Sequence, residues 1–132
     1  MSPEPGAEVI VSNGVRVNGD RMPEWIQTSD EAGAALRGGR AVVALESTVV
    51  AHGLPRPRNL TVAQGLESRI REVGATPATV ALVRGQPRLG LESSELEEIA
   101  TSGDVEKLST RDLPLAIARR ATGAATVAAT AR

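Results

Sequence analysis

Residues 44–59, ALESTVVAHGLPRPRN, hold several of the groups in this chain whose types and spacing could do chemistry. Glu46 ends an apolar run, AVVAL, and a loop follows it. Open α/β sheets bind ligands at the carboxyl ends of their strands, where Glu46 would stand. In partly apolar surroundings a carboxyl there would have a raised pKa and could act as a general acid near neutral pH. A glutamate that caps a neighbouring helix or pairs with an arginine would give the same local sequence. Ser47 and Thr48 could bind a ligand or simply satisfy the strand end. His52, the only histidine, could brace the loop or take part in chemistry. No second histidine or paired aspartate stands at the spacing of a metal site or a Ser-His-Asp triad. A conventional glycosidase needs two facing carboxylates, and the sequence identifies no partner for Glu46.

A second cluster, KLSTRDLP, occupies residues 107–114. A strand ends near Lys107, and Ser109, Thr110 and Arg111 gather at a helix start. Helix amino termini and cationic side chains hold phosphate well. An ordinary capped helix with exposed Lys and Arg is the plainer alternative. Further on, Gly123 before Ala-Ala-Thr-Val could be a tight turn that lets backbone approach a ligand, or only a helix stop.

These positions depend on the elements around them. Ser29, Asp30 and Glu31 signal a helix start, and Gly38-Gly39 a stop. AVVALESTVV is β-branched and apolar on both faces, as expected inside a parallel sheet. Gly53, Pro55 and Pro57 make HGLPRPRN a loop. Asn59 can cap the next helix, in which Val62, Leu66, Ile70 and Val73 recur at helical spacing, and Gly74 ends it. A strand at TVALV, a turn at RGQP and a short partner strand at RLGL come next. Ser94 and Glu97 suggest a capping box for a helix ending near Gly103. VEKLS is another short strand, and RDLPLAIARRA a helix with Pro114 in its first turn. This alternation predicts an α/β layer fold. In residues 1–28, SPEPGAE reads as a mobile tail. EVIVSNGVRVNGD is either a hairpin on Asn13-Gly14 or an extension upstream of Met22. The domain is accordingly expected over residues 23–132, with 1–22 as the extension.

Composition excludes several classes. The 132 residues fit one domain with a modest core, and that core must be built from Ala, Val, Leu and Ile. Trp25 is the only aromatic residue. Fifteen basic against sixteen acidic residues leave a net charge of −1. There is thus no electrostatic case for polymeric nucleic acid or an anionic membrane. Without cysteine there is no disulfide framework or thiolate metal site. No signal-peptide pattern and no apolar run of spanning length is present, which predicts a soluble, cytoplasmic protein.

Four stretches occur in one order and register: VALESTVVAHGLPRPRN, GATPATVALVRGQPRLGL, KLSTRDLP and TGAATVAAT. In these the chain, from about residue 24 to 131, resembles the pseudouridine-5'-phosphate glycosidases, which include the indigoidine synthase A-like proteins. The resemblance implies a three-layer α/β/α fold with a mixed, mostly parallel sheet. It implies reversible cleavage of the carbon–carbon glycosidic bond of pseudouridine 5'-phosphate, giving uracil and ribose 5-phosphate. It also implies Mn2+ as cofactor and a homotrimer for the complete enzyme. By matching motif positions, Glu46 is the proton donor, and Lys107 and Val127 are substrate-binding.

In the family an attacking lysine opens the sugar to an imine, a form of covalent catalysis, which makes a second facing carboxylate unnecessary. That lysine and the metal-binding aspartate come later than the residues matched here. Lys107 is the chain's single lysine and matches the substrate-contact position. The Ala/Thr-rich ending also has no cap, so the expectation is an amino-terminal part truncated at its carboxyl end and incomplete as an enzyme. A non-catalytic phosphosugar- or nucleotide-binding fragment, or a gene remnant, are the alternatives.

Overall fold

In the computed structural model the structure describes residues 7–11, 16–19 and 25–125, with side chains from residue 25 onward except that of Val49. Strand β1 (Ala7–Val11) pairs antiparallel with β2 (Arg16–Gly19), so the hairpin is the form taken by the upstream segment. β1 also lies parallel to β4 (Val42–Glu46) and adds the hairpin to the main sheet. Between them in sequence come the short β3 (Gln27–Thr28) and helix α1 (Asp30–Arg37). Ser29 caps α1 by accepting from the Ala32 N–H, and Gly38 stops it, as the sequence predicts.

Strand β5 (Thr76–Val83), eight residues long, is the axis of the sheet. One edge carries β6 (Gln86–Leu89), antiparallel, with β3 parallel beyond it. The hairpin turn is only Arg84 and Gly85, at φ 46° and 81°. Two successive left-handed residues give a connection whose twist matches the strands. Gln86 and Pro87, expected in the turn, are therefore already in β6.

The other edge of β5 is shared. β4 runs parallel along Thr76 to Val80, and β8 (Gly123–Ala125) runs antiparallel against Ala81 and Leu82. β7 (Glu106–Leu108) lies parallel outside β8. Four of the seven pairings are parallel, so the sheet is mixed.

Side-chain alternation along β5 sorts the helices into two layers. Ala78 and the partly buried Val80 pack with Ala32 and Ala35 of α1. Leu82, on the same face, packs with Ala116 of α4 (Leu113–Ala118). Ala81 and Val83, on the opposite face, pack with Ala63 of α2 (Arg58–Glu72) and with Leu96 and Ile99 of α3 (Ser93–Thr101). This is a three-layer α/β/α arrangement, and alanines in the contact layers let helix and sheet approach closely without aromatic filler.

Two local expectations change. The box that starts α3 uses Glu92 and Glu95, two residues before the expected pair. Helix α2 begins at Arg58 after Pro57, with no side-chain cap, so Asn59 is inside its first turn. α2 also buries Asn59, Ala63 and Glu67, while most of its apolar stripe is turned outward: Val62, Leu66 and Val73 are exposed and Ile70 is half-buried. The polar members of the buried stripe are satisfied. Glu67 Oε2 accepts from Thr79 Oγ1 at 2.8 Å, and Asn59 bonds two carbonyls. Buried polar groups need such partners, and these set the rotation of the helix.

Candidate active site

β4 and β8 approach each other tip to tip along one edge of β5. Glu46, the last residue of β4, lies opposite Val80, and Ala124 of β8 lies opposite Ala81. The ladder passes from one strand to the other at this seam. Glu46 is half-buried there, at the carboxyl end of its strand, where open α/β sheets place their ligands.

Ser47 closes the seam. Its N–H donates to the Ala125 carbonyl at 3.2 Å. Its hydroxyl donates to the Val80 carbonyl at 2.5 Å and accepts from the Ala125 N–H at 2.8 Å. The residue is fully buried, and its one hydroxyl hydrogen is committed. Of the two roles open to Ser47, satisfying the strand end is the one that the structure shows.

After Ser47 and Thr48 the chain makes a π-helical turn, Val49–Gly53. His52 Nε2 lies 2.8 Å from the Val105 carbonyl. A carbonyl only accepts, so this nitrogen carries the hydrogen, and the ring braces the loop. Asn59 Nδ2 donates to the carbonyls of Val50 (2.9 Å) and Ala100 (2.6 Å).

Lys107 is exposed in the middle of β7, paired with Ala124. Through that pairing it shares a face with Ala81, whereas Glu46 shares one with Val80. The two are close in level along the sheet but leave it on opposite faces. A ligand contacting both has to span the seam.

The helix start after Lys107 is occupied by its own carboxylate. Ser109 N–H and Oγ both donate to Asp112 Oδ2 at 3.0 Å. Those bonds hold the Asp112 carboxyl below its usual range. Negative charge thus stands where a phosphate would gain most, and α4 is only six residues long. The plain capping role is what the structure shows here. Gly123 is likewise neither turn nor stop: it opens β8, and a Cβ there would collide with the Leu108 side chain. Val127 lies outside the described residues. Among the described residues no three His, Cys, Asp or Glu side chains form a metal-holding group. Among them, too, no helix is long and apolar enough to cross a membrane.

Sequence reasoning missed Arg56 and the role of Asn59. Arg56 Nη2 donates to the Ser102 carbonyl at 2.7 Å. The only signal in sequence was that polar residues interrupt a proline-rich loop.

A mixed sheet with helices packed on both faces defines an α/β/α protein, and comparison with known proteins narrows this. The chain belongs to the indigoidine synthase A-like protein family, whose model matches residues 31–132. It is 54% identical over 103 residues to the pseudouridine-5'-phosphate glycosidase of Saccharopolyspora erythraea, covering 78% of this chain and 34% of that one. The glycosidase of Chloroflexus aurantiacus is 55% identical over 106 residues, covering 80% and 35%. Among solved structures, the prealnumycin C-glycosynthase AlnA in complex with ribulose 5-phosphate superposes with a TM-score of 0.71 at 35% identity, over 83% of this chain and 35% of that one. An indigoidine synthase A-like protein of Thermotoga maritima gives 0.69 at 29% identity, over 83% and 36%. The chain thus spans about a third of the length of the relatives it matches.

Proposed function

We propose that this chain is part of a pseudouridine-5'-phosphate glycosidase and supplies its proton donor, Glu46, and a substrate-contacting lysine, Lys107. The observation that carries the reading is the placement of Glu46. It is half-buried on the seam between β4 and β8, in a chain that is more than half identical, over the residues matched, to glycosidases of that name.

The reaction breaks the bond between C1' of the sugar and C5 of the base. A proton must arrive at the departing base carbon, and water supplies the oxygen that ends on the sugar. Glu46 as general acid delivers that proton. No bridging oxygen is present to protonate, so one carboxyl at the seam suffices for this half of the chemistry. Lys107 gives the phosphosugar a mobile cation, and Val127 would line the same pocket. The imine-forming lysine is not among this chain's residues, because Lys107 is its only lysine. The described residues do not form a group that fits Mn2+; a metal ligand would come from the complementary part. A homotrimer and a cytoplasmic location complete the proposal for the whole enzyme.

The test is release of uracil from pseudouridine 5'-phosphate, with the purified chain alone and then with the unmatched two thirds of the Saccharopolyspora relative. Activity only on mixing, lost by about 10²-fold or more in Glu46→Gln, is the expected result. Full activity in the Glu46→Gln mixture would overturn the assignment.

A second reading has its own support. AlnA holds ribulose 5-phosphate, so binding a pentose 5-phosphate without turnover is a coherent role for this portion. Binding of ribose 5-phosphate by the isolated chain, with no turnover after mixing, would favour it.

A further inference from the structure

The loop after Glu46 and the first turn of α2 together make three side-chain contacts to one distant stretch of backbone. Asn59 donates to the Ala100 carbonyl, Arg56 to the Ser102 carbonyl, and His52 to the Val105 carbonyl. All three acceptors lie on the path from the end of α3 to the start of β7. The last of them is two residues before Lys107. β4 and β7 do not pair with each other directly, and the sheet links them through β5 and β8. The loop adds a second tie, with donors at 52, 56 and 59 reaching carbonyls at 105, 102 and 100 in antiparallel order.

We propose that this loop is a clamp that fixes the strand carrying Lys107 relative to the one carrying Glu46 across the seam, and that His52 is its positioning residue nearest the lysine. From Glu46 the route runs six residues to the imidazole, across one hydrogen bond, and two residues on to Lys107. Arg56 and His52 are exposed, so the clamp lies over the surface, and its loss leaves the core intact. Asn59 anchors the base of the same loop by also holding the Val50 carbonyl. The proposal rests on the reading of Glu46 and Lys107 as parts of one substrate site.

The test uses the 132-residue chain and its single histidine. ¹⁵N NMR of the imidazole should show the hydrogen on Nε2. In His52→Ala, the backbone amide signals of residues 105–108 should move. In His52→Gln, which keeps an N–H donor, they should largely return. Ribose 5-phosphate affinity should fall about tenfold in His52→Ala, as expected for one lost hydrogen bond, and by no more than about threefold in His52→Gln. Melting temperatures should stay close to that of the parent chain. A ring hydrogen on Nδ1, unmoved signals at 105–108, or equal losses in the two variants would each overturn the clamp. If the parent chain does not bind ribose 5-phosphate, the substrate role of Lys107 falls, and the tautomer and amide signals still decide the positioning role.

Discussion

The two sides of the seam are built differently. On the β4 side Ser47 is fully buried with its hydroxyl committed, Asn59 bonds two carbonyls, and His52 and Arg56 bond one more each. On the β7 side Lys107 stands exposed, followed by a helix start that is capped from within. One side holds the backbone around the carboxyl-bearing strand end in a network with little freedom, and the other offers a long, solvated cation. A proton donor acts only when correctly placed, whereas a charge that attracts a phosphosugar can reach for it.

Substitutions should therefore cost stability on the first side and not on the second. The largest loss is expected for Asn59→Ala, which strips a donor from two carbonyls at a fully buried site, about 3 kcal/mol by denaturant unfolding. Ser47→Ala should follow at about 2 kcal/mol, since it leaves the Val80 carbonyl and Ala125 N–H without that partner. A loss of under about 0.5 kcal/mol in either variant would break the contrast.

A smaller effect is expected away from the seam, between Glu31 of α1 and Arg71 of α2. Arg71 donates Nε and Nη2 to the two Glu31 oxygens at 2.7 and 2.8 Å, which holds the Glu31 carboxyl below its ordinary value of 4.5. A lowered folded-state pKa gives stability that is complete above about pH 4.5 and fades as pH falls through the folded value. Both side chains are nearly half exposed, so the pair is worth only about 0.5 kcal/mol. Glu31→Gln, which leaves the Arg71–Glu67 contact in place, should lose that amount at pH 7 and converge with the parent chain at low pH. Lys107→Ala should change stability least, by about 0.3 kcal/mol or less, while abolishing ribose 5-phosphate binding. Unchanged binding would separate Lys107 from the site.

Much of the scaffold was legible because it depends on local chemistry. The apolar run into Glu46, the cap at Ser29 and the proline at the start of α4 each announce an element within a few residues. The orientation of α2 was not legible. Its apolar periodicity picks out Val62, Leu66, Ile70 and Val73, of which only Ile70 is half-buried, yet the packed stripe is Asn59, Ala63 and Glu67. Long-range bonds to Ala100 and Thr79 decide the matter, and periodicity has no information about partners 12 or 41 residues away.

The candidate site divides in the same way. Sequence alone determined that Glu46 ends a buried strand, that Lys107 is the chain's one lysine, and the family to which both motifs point. Only the tertiary structure decided that β8 meets β4 head-on, that Ser47 is spent closing the seam, and that HGLPRPRN ties the loop to the approach of β7. Strand ends and charges follow from the order of residues, whereas a hydrogen bond between residues 52 and 105 exists only once the chain has brought them to 2.8 Å.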